Sequence, residues 1–316
     1  MKQSIIQCLM ISMIAGSPFS LPGNVAPPAQ AETVRVMSFN IWVGGEAGGQ
    51  KLEQTVEVIR KASPDIVGLQ EVLGPEVNKV RPDNGKKIAD SLGWNYFNQG
   101  DGTAIITHYP ILASTPRKWG IVIQHPSGKR LFHFNVHFNA APYQPYQFLK
   151  IPYHDAPFFS TEAELIQAAR DARGKQVDSL LTELPVALMS GAPVFLTGDF
   201  NEPSFQDWTQ RAEKAGVCPV KVEFPATHSI AAAGMKDAYR SIYPDEVARP
   251  GWTWTPTTSP DDPKDHHDRI DYVWYAGEKV DVLKTEIVGE KAEAADILAT
   301  PYPSDHRGVV ATIRID

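Results

Sequence analysis

The stretch Phe195-Leu196-Thr197-Gly198-Asp199-Phe200-Asn201 constrains the chain most. The apolar run from Pro193 to Leu196, closed by a glycine, reads as a buried strand that delivers polar side chains at its carboxyl end. Strand alternation puts Asp199 and Asn201 on one side and turns Phe200 into the core. A carboxylate and an amide together at a strand mouth can act on one phosphate or one water. The competing reading is an Asx turn, because both residue types turn chains readily. That reading weakens because stretches of the same kind recur along the chain.

At 316 residues, 42% hydrophobic and 21% charged, the composition is that of a globular protein with ample material for a core. The first residues differ in kind. Lys2, an uncharged and mostly apolar run from Ser4 to Phe19, a Pro-rich spacer and Ala29-Gln30-Ala31 describe a secretory signal cut after Ala31. The run is too short and interrupted for a membrane span, so no transmembrane segment is expected after cleavage. The expected organisation is a signal at 1–31 and one domain at 32–316, secreted or periplasmic and monomeric. Cleavage removes one lysine and moves the formal charge from −7 to −8. An acidic chain lacks the basic footprint of a strong, nonspecific nucleic-acid binder, which disfavours a nuclease without excluding one. Cleavage also removes Cys8, leaving Cys218 alone among apolar neighbours, where an inert buried thiol is expected.

Thr33 to Ile41 alternates as a strand and ends at Asn40-Ile41-Trp42 before a glycine-rich loop. Leu52, Val56 and Ile59 then recur at helical spacing up to Ser63-Pro64, and Asp65 to Leu69 is a strand delivering Gln70-Glu71. A helix is expected over 85–92, and strands over Thr103–Thr107 and Gly120–Gln124. After Arg130, Phe132, Phe134, Val136 and Phe138 share a face that reads as core. Leu131, His133, Asn135 and His137 share the opposite, mostly polar face. The aromatic, Pro-rich segment 140–160 reads as an insertion that shapes a site. Thr161 to Leu184 reads as one long helix with Thr161 and Glu164 as a capping box. Another helix is expected over 204–215. An aromatic loop follows at Gly251–Pro256, then strands containing Asp271 and spanning Val309–Ile315.

Asn40, Glu71, His137, Asp199, Asn201, Asp271, Asp305 and His306 all lie at or beside expected strand ends, which converge on one edge of a layered α/β domain. Carboxylates and amides without thiols suit a hard cation, Mg²⁺ first, with Mn²⁺ and Ca²⁺ as alternatives. A histidine beside an acid, as His306 with Asp271, suits proton transfer or charge stabilisation. Together they suit hydrolysis of a phosphate ester.

The ordered series FNIW, LQEV, NVHFN, GDFN, DRIDYV and SDHRGV resembles the endonuclease/exonuclease/phosphatase family, which is DNase I-like. The likeness runs from about Val34 to Ile315, nearly the whole chain after the signal. It implies a four-layered α/β sandwich, two mixed sheets face to face with helices outside. It also implies that Glu71, with Asn40 and Asp305 nearby, holds a metal. His306, oriented by Asp271, would be a general base or would stabilise the attacked phosphate. Asp199 would orient or deprotonate water, Asn201 would bond the phosphate, and His137 would stabilise the oxyanion or protonate the leaving group.

Asp268, Tyr109, Trp254 and His267 are the candidate substrate contacts. Asp268 opens the Asp271 motif and ranks below Asp271. Tyr109 matches loosely a position where nucleic-acid members carry Arg or a reactive Tyr. The Trp254 loop could stack a base, a sugar or a lipid headgroup, or simply pack. His267 sits in a loop that also reads as solvated. The expected function is a secreted, metal-dependent phosphoesterase acting on a phosphodiester or small organophosphate. An extracellular nuclease, a sphingomyelinase-like lipid hydrolase and a non-catalytic binding protein stand as alternatives.

Overall fold

In the computed structural model, residues 32–316 are described; the expected signal at 1–31 lies outside them. Thirteen strands follow from the alternating and apolar runs. In order they are β1 (Thr33–Asn40), β2 (Ile66–Gln70), β3 (Asn95–Gly100), β4 (Thr103–Thr107), β5 (Ile111–Ser114), β6 (Gly120–Gln124) and β7 (Arg130–His137). Then come β8 (Val194–Asp199), β9 (Lys236–Asp237), β10 (Asp271–Ala276), β11 (Val280–Gly289), β12 (Ile297–Leu298) and β13 (Gly308–Ile315). One sheet has the order β12-β11-β13-β1-β2-β4-β3 and the other β5-β6-β7-β8-β10-β9. Both are mixed: β1–β2 and β7–β8 are parallel, whereas β1–β13 and β8–β10 are antiparallel.

Three apolar clusters separate four layers, as the resemblance implied. Val34, Ile66 and Ile105 of the first sheet meet Ile121, Phe195 and Val273 of the second between the sheets. Phe39, Leu69 and Ile106 pack outward with Val56, Ile59 and Ile88 of helices Leu52–Ala62 and Asn84–Leu92. On the far side, Phe134, Leu196 and Trp274 pack with Val177 and Ile230 of helices Glu162–Leu181 and Pro225–Ala232. Burial at about 25 cal/mol per Å² of apolar surface makes this layering the main favourable contribution to folding.

Both faces of β7 are buried, which the alternation did not anticipate. The aromatic face lies under the helices, and Leu131, His133 and Asn135 point between the sheets. Asn135 crosses the gap: its Nδ2 donates to Leu69 O (3.0 Å) and Ala104 O (3.2 Å), and its Oδ1 accepts from Gln70 Nε2 (2.6 Å). His133 Nε2 lies 3.1 Å from Thr197 Oγ1, and complete burial pushes its pKa down to about 3. This polar band leads from the apolar inter-sheet core towards the strand ends that carry Asn40 and Asp199.

Other differences have local causes. The long helix keeps its Thr161–Glu164 capping box but ends at Leu181, and Leu184–Leu188 forms a separate turn carrying Pro185. The helix expected over 204–215 shortens to Gln210–Lys214, because Asp207 and Trp208 are drawn inward, to Arg269 and Asp268. The insertion is partly helical, at Gln144–Leu149. Strand β11 was not expected at all. Cys218 is buried, and burial lifts its thiol to about 12, consistent with an inert group.

A Cβ at Gly68 would lie 2.0 Å from Thr197 Oγ1 and 2.3 Å from Asn135 Oδ1. Gly68→Ala should therefore lower the urea-unfolding free energy by about 2 kcal/mol or more, the cost of overpacking a filled interior. His133 gives a pH test. Its folded pKa of about 3 lies below the 6.5 of the unfolded chain, so the unfolded state binds the extra proton between those values. Its contribution to stability is present above about 6.5 and is lost as pH falls, by ~1.4 kcal/mol per unit. His133→Gln should flatten that acidic arm of a stability–pH curve measured by denaturant titration.

Candidate active site

The carboxyl ends of β1, β2, β7 and β8, with the start of β10 and the loop before β13, meet at one cavity of about 240 Å³. Asp199 is its centre. Asn40 Nδ2 donates to Asp199 Oδ2 at 2.9 Å, and Asn201 N donates to Oδ1 at 2.8 Å. His137 Nε2 and His306 Nε2 approach Oδ2 at 3.5 and 3.7 Å. Burial opposes its charge, but His306, His137 and Asn40 outweigh it and hold Asp199 at about 2. Asp199 is ionised throughout the physiological range.

Asn201 turns through φ +50°, so the Asx turn and the site residue are one object: the turn reading and the functional reading both describe it. Its Nδ2 also donates to Phe138 O at 3.0 Å, leaving one amide hydrogen free. Trp42, Val43 and Glu71 carry positive φ too, at 51°, 50° and 57°. Such residues are held there only by their surroundings, at about 1–3 kcal/mol each, and they collect at functional sites. Here the reason is visible: the Trp42–Val43 turn brings Val43 N to Glu71 Oε2 (3.1 Å), while Asn40 Nδ2 reaches Glu71 Oε1 (3.2 Å).

His306 Nδ1 lies 2.9 Å from Asp271 Oδ2, and Asp271 is fixed by its own N–H donating to Thr253 Oγ1 at 3.1 Å. Burial disfavours the imidazolium, but Asp271 and Asp199 together raise His306 well above its ordinary value. Burial also raises Asp271, so the two compete for one proton. It rests on His306, which two carboxylates flank, whereas Asp271 has one cationic neighbour. His137 is raised likewise, burial being outweighed by Asp199.

Asp305 is the least compensated carboxylate of the cluster. Burial, with Glu71 adding to it and His306 opposing, pushes its carboxyl up to about 7, and its buried Oδ1 has no hydrogen-bond partner. Two carboxylates lining one cavity, one with an orphaned oxygen, fit a hard cation between them. Asn40 offers its amide NH₂ to the carboxylates while its oxygen accepts from Trp42 N. Rotating that amide would turn the oxygen inward, which a cation would favour. Asp199, Asp271 and His306 also lie close enough to form a ligand group, but there the His306 proton already occupies the bond to Asp271.

Of the expected substrate contacts, only Trp254 lines this cavity, its ring 4.8 Å from that of His306. Asp268 sits beneath, accepting from Tyr143 Oη (2.7 Å) and Trp208 Nε1 (2.8 Å), with His266 Nδ1 at 2.9 Å. It holds the wall rather than facing the cavity. Tyr109 lies elsewhere. Thr107, just before it, pairs with Ile66 at the start of β2, the end opposite Gln70, and Tyr109 stacks on His108. His267 bonds Thr258 Oγ1 at 2.9 Å and faces a separate cavity beside Trp252 and Arg249. Sequence reasoning gave no individual role to Tyr143, Tyr146 and Tyr153, which line the site with Trp42. The aromatic density of 140–160 was their only signal.

The fold and its polar strand ends define a phosphoester-hydrolysing scaffold of the DNase I-like kind. A profile of the Endonuclease/Exonuclease/phosphatase family matches residues 37–306, and the chain belongs to that family. It is thus a metal-dependent phosphoric ester hydrolase. An uncharacterized protein of Caenorhabditis elegans is 28% identical over 299 residues, covering 88% of this chain and 90% of the relative. An inositol phosphosphingolipids phospholipase C of Schizosaccharomyces pombe is 24% identical over 246 residues, 70% of this chain and 49% of that protein, about half its length. A solved endonuclease/exonuclease/phosphatase from Beutenbergia cavernae shares the fold, with a TM-score of 0.55 and 16% identity over 90% of this chain and 72% of that one.

Asp268→Asn removes one acceptor from three donors and leaves a buried partner unpaired, which costs about 1–3 kcal/mol. Thermal unfolding should register that loss. Tyr143→Phe, which deletes only one of the three bonds, should cost less; equal losses would contradict the hub role of Asp268.

Proposed function

We propose that the chain is a secreted phosphodiesterase that hydrolyses a phosphodiester or small organophosphate by attack of water on phosphorus. The observation that carries this reading is the Asp271–His306–Asp199 array at the aromatic-walled cavity. Glu71 and Asp305, with Asn40, would hold a divalent cation, Mg²⁺ first, which would neutralise charge on the attacked phosphate. His306, kept protonated by its two carboxylates, donates to a phosphate oxygen, so it stabilises charge rather than serving as the base. Asp199 stays ionised, orients the water and accepts the proton that water loses as it attacks phosphorus. His137, also biased towards the imidazolium, gives a proton to the leaving oxygen, and the free amide hydrogen of Asn201 bonds the phosphate.

The small cavity and the net charge of −7 favour a compact substrate over a polymer. A phospholipid headgroup is the second reading, supported by the aromatic wall and by the printed activity of the yeast relative. No helix among the described residues is long and apolar enough to cross a membrane. The Lys2–Ala31 pattern supports export, and N-terminal sequencing of the exported chain should begin at Glu32.

Bis(p-nitrophenyl) phosphate should be cleaved with Mg²⁺ or Mn²⁺ and not with EDTA, and plasmid DNA should remain intact. His306→Ala should lower kcat by about 10²–10⁴-fold, the usual worth of a positioned proton donor, and Glu71→Gln should abolish the metal response. Plasmid nicking that disappears in His306→Ala would replace this reading with a nuclease. Unchanged turnover in both variants would remove the mechanism.

A further inference from the structure

Three tyrosines of the 140–160 insertion line the catalytic cavity, and their hydroxyls have different fates. Tyr143 Oη donates to Asp268 Oδ2 at 2.7 Å. Tyr146 Oη donates to Asp265 and accepts from Trp254 Nε1 at 3.0 Å. Both hydroxyls are occupied in holding the wall. The Tyr153 hydroxyl has no partner among the described residues, although tyrosines packed into a protein usually find one.

Tyr153 is nonetheless fixed in place. Its ring stands edge-on to those of Tyr146 at 5.5 Å and Tyr143 at 6.4 Å. Its carbonyl accepts from the buried Gln147 through Nε2 (3.3 Å) and from Ala156 N (3.2 Å). The second bond closes a turn in which His154 and Asp155 take φ of 48° and 52°. Histidine and aspartate are among the residues that enter this left-handed region most readily. An exposed turn thus presents a half-buried ring to the cavity.

Burial raises the Tyr153 phenol, and Asp199, Glu71 and Asp305 raise it further against Arg173. The hydroxyl therefore lies in the field of the catalytic carboxylates. A phenol ordinarily titrates near 10, so at neutral pH it keeps its proton and can donate.

The cavity otherwise lacks the groups that most often meet phosphate. Among the described residues no arginine or lysine lines it; its polar groups are three acids, two histidines, Asn201 and this tyrosine. In the proposed reaction His306 and Asn201 each give one hydrogen to the phosphate, whose two non-bridging oxygens can accept more. A neutral phenol adds a donor without repelling the cation that Glu71 and Asp305 would hold.

We infer that Tyr153 contacts the substrate: its hydroxyl donates to a non-bridging oxygen of the bound phosphodiester, in place of an absent guanidinium. The phosphodiester rests on the function proposed above, whereas the free hydroxyl at the cavity does not.

Tyr153→Phe tests the assignment, because it keeps the ring and removes only the hydroxyl. For bis(p-nitrophenyl) phosphate with Mg²⁺, kcat/KM should fall about 10–100-fold, the worth of one hydrogen bond to a charged group. Tm should stay unchanged, since no protein group loses a partner. An unchanged kcat/KM, or a fall accompanied by a lower Tm, would overturn the contact while leaving the phosphodiesterase standing. If the unchanged chain hydrolyses nothing, the phosphodiesterase falls, and calorimetry with dimethyl phosphate and Mg²⁺ decides on Tyr153. Binding that weakens about tenfold or more in Tyr153→Phe would keep the contact. Equal binding, or none to either chain, would overturn it.

Discussion

The structure depends on one buried carboxylate. Asp199 sits at the last residue of a central strand and collects Asn40, the Asn201 N–H, His137 and His306, groups from three other parts of the chain. An ionised carboxylate in such a place is costly unless it is paired and hydrogen-bonded. The four donors offset that cost only while both sheets keep their register. The register is therefore tied to this charge as well as to the apolar core. Gly68, Thr197 and Asn135 mesh between the sheets at backbone distances that admit no extra atom.

The same logic explains why the cluster is incomplete by itself. Two histidines compensate Asp199 and Asp271, whereas Glu71 is met by the Asn40 amide and the Val43 N–H, and Asp305 by His306 only at 4.0 Å. Burial above all, with Glu71 adding to it, lifts Asp305 to about 7, and its Oδ1 has no hydrogen-bond partner. Left-handed backbone at Trp42, Val43 and Glu71 holds the Glu71 carboxylate at the cavity. Around it, a wall of tyrosines anchored to Asp268 and Asp265 limits what enters.

How much of this was legible in the sequence differs by residue. Glu71, His137, Asp199 and Asn201 line one cavity, with Asn40 bonded to Glu71 and Asp199, because each follows or closes a run that alternation identifies as a strand; Asp305 and His306 reach it from the loop before β13, and Asp271 opens the neighbouring strand β10 beneath them. Asp268 and Tyr109 were misplaced for a physical reason. Proximity in sequence to a strand end does not say which way a side chain turns, and Asp268 turns inward to three donors. Tyr109 lies at the opposite end of its strand pair, which pairing register alone reveals. The burial of the polar face of β7 was hidden too, since alternation gives His133 and Asn135 only as a mostly polar face until the opposing sheet supplies their partners.

The central claim is that Glu71 and Asp305 form a pair that a cation completes. Thermal unfolding with and without Mg²⁺ tests it without reference to any substrate. A cation that binds only the folded chain raises Tm by an amount that grows with the logarithm of its concentration above Kd, so the unchanged chain should gain several degrees. Asp305→Asn should melt higher than the unchanged chain in EDTA, since it removes one of two facing charges, and should gain nothing from Mg²⁺. A Tm that ignores Mg²⁺ in the unchanged chain, or rises equally in Asp305→Asn, would contradict the account.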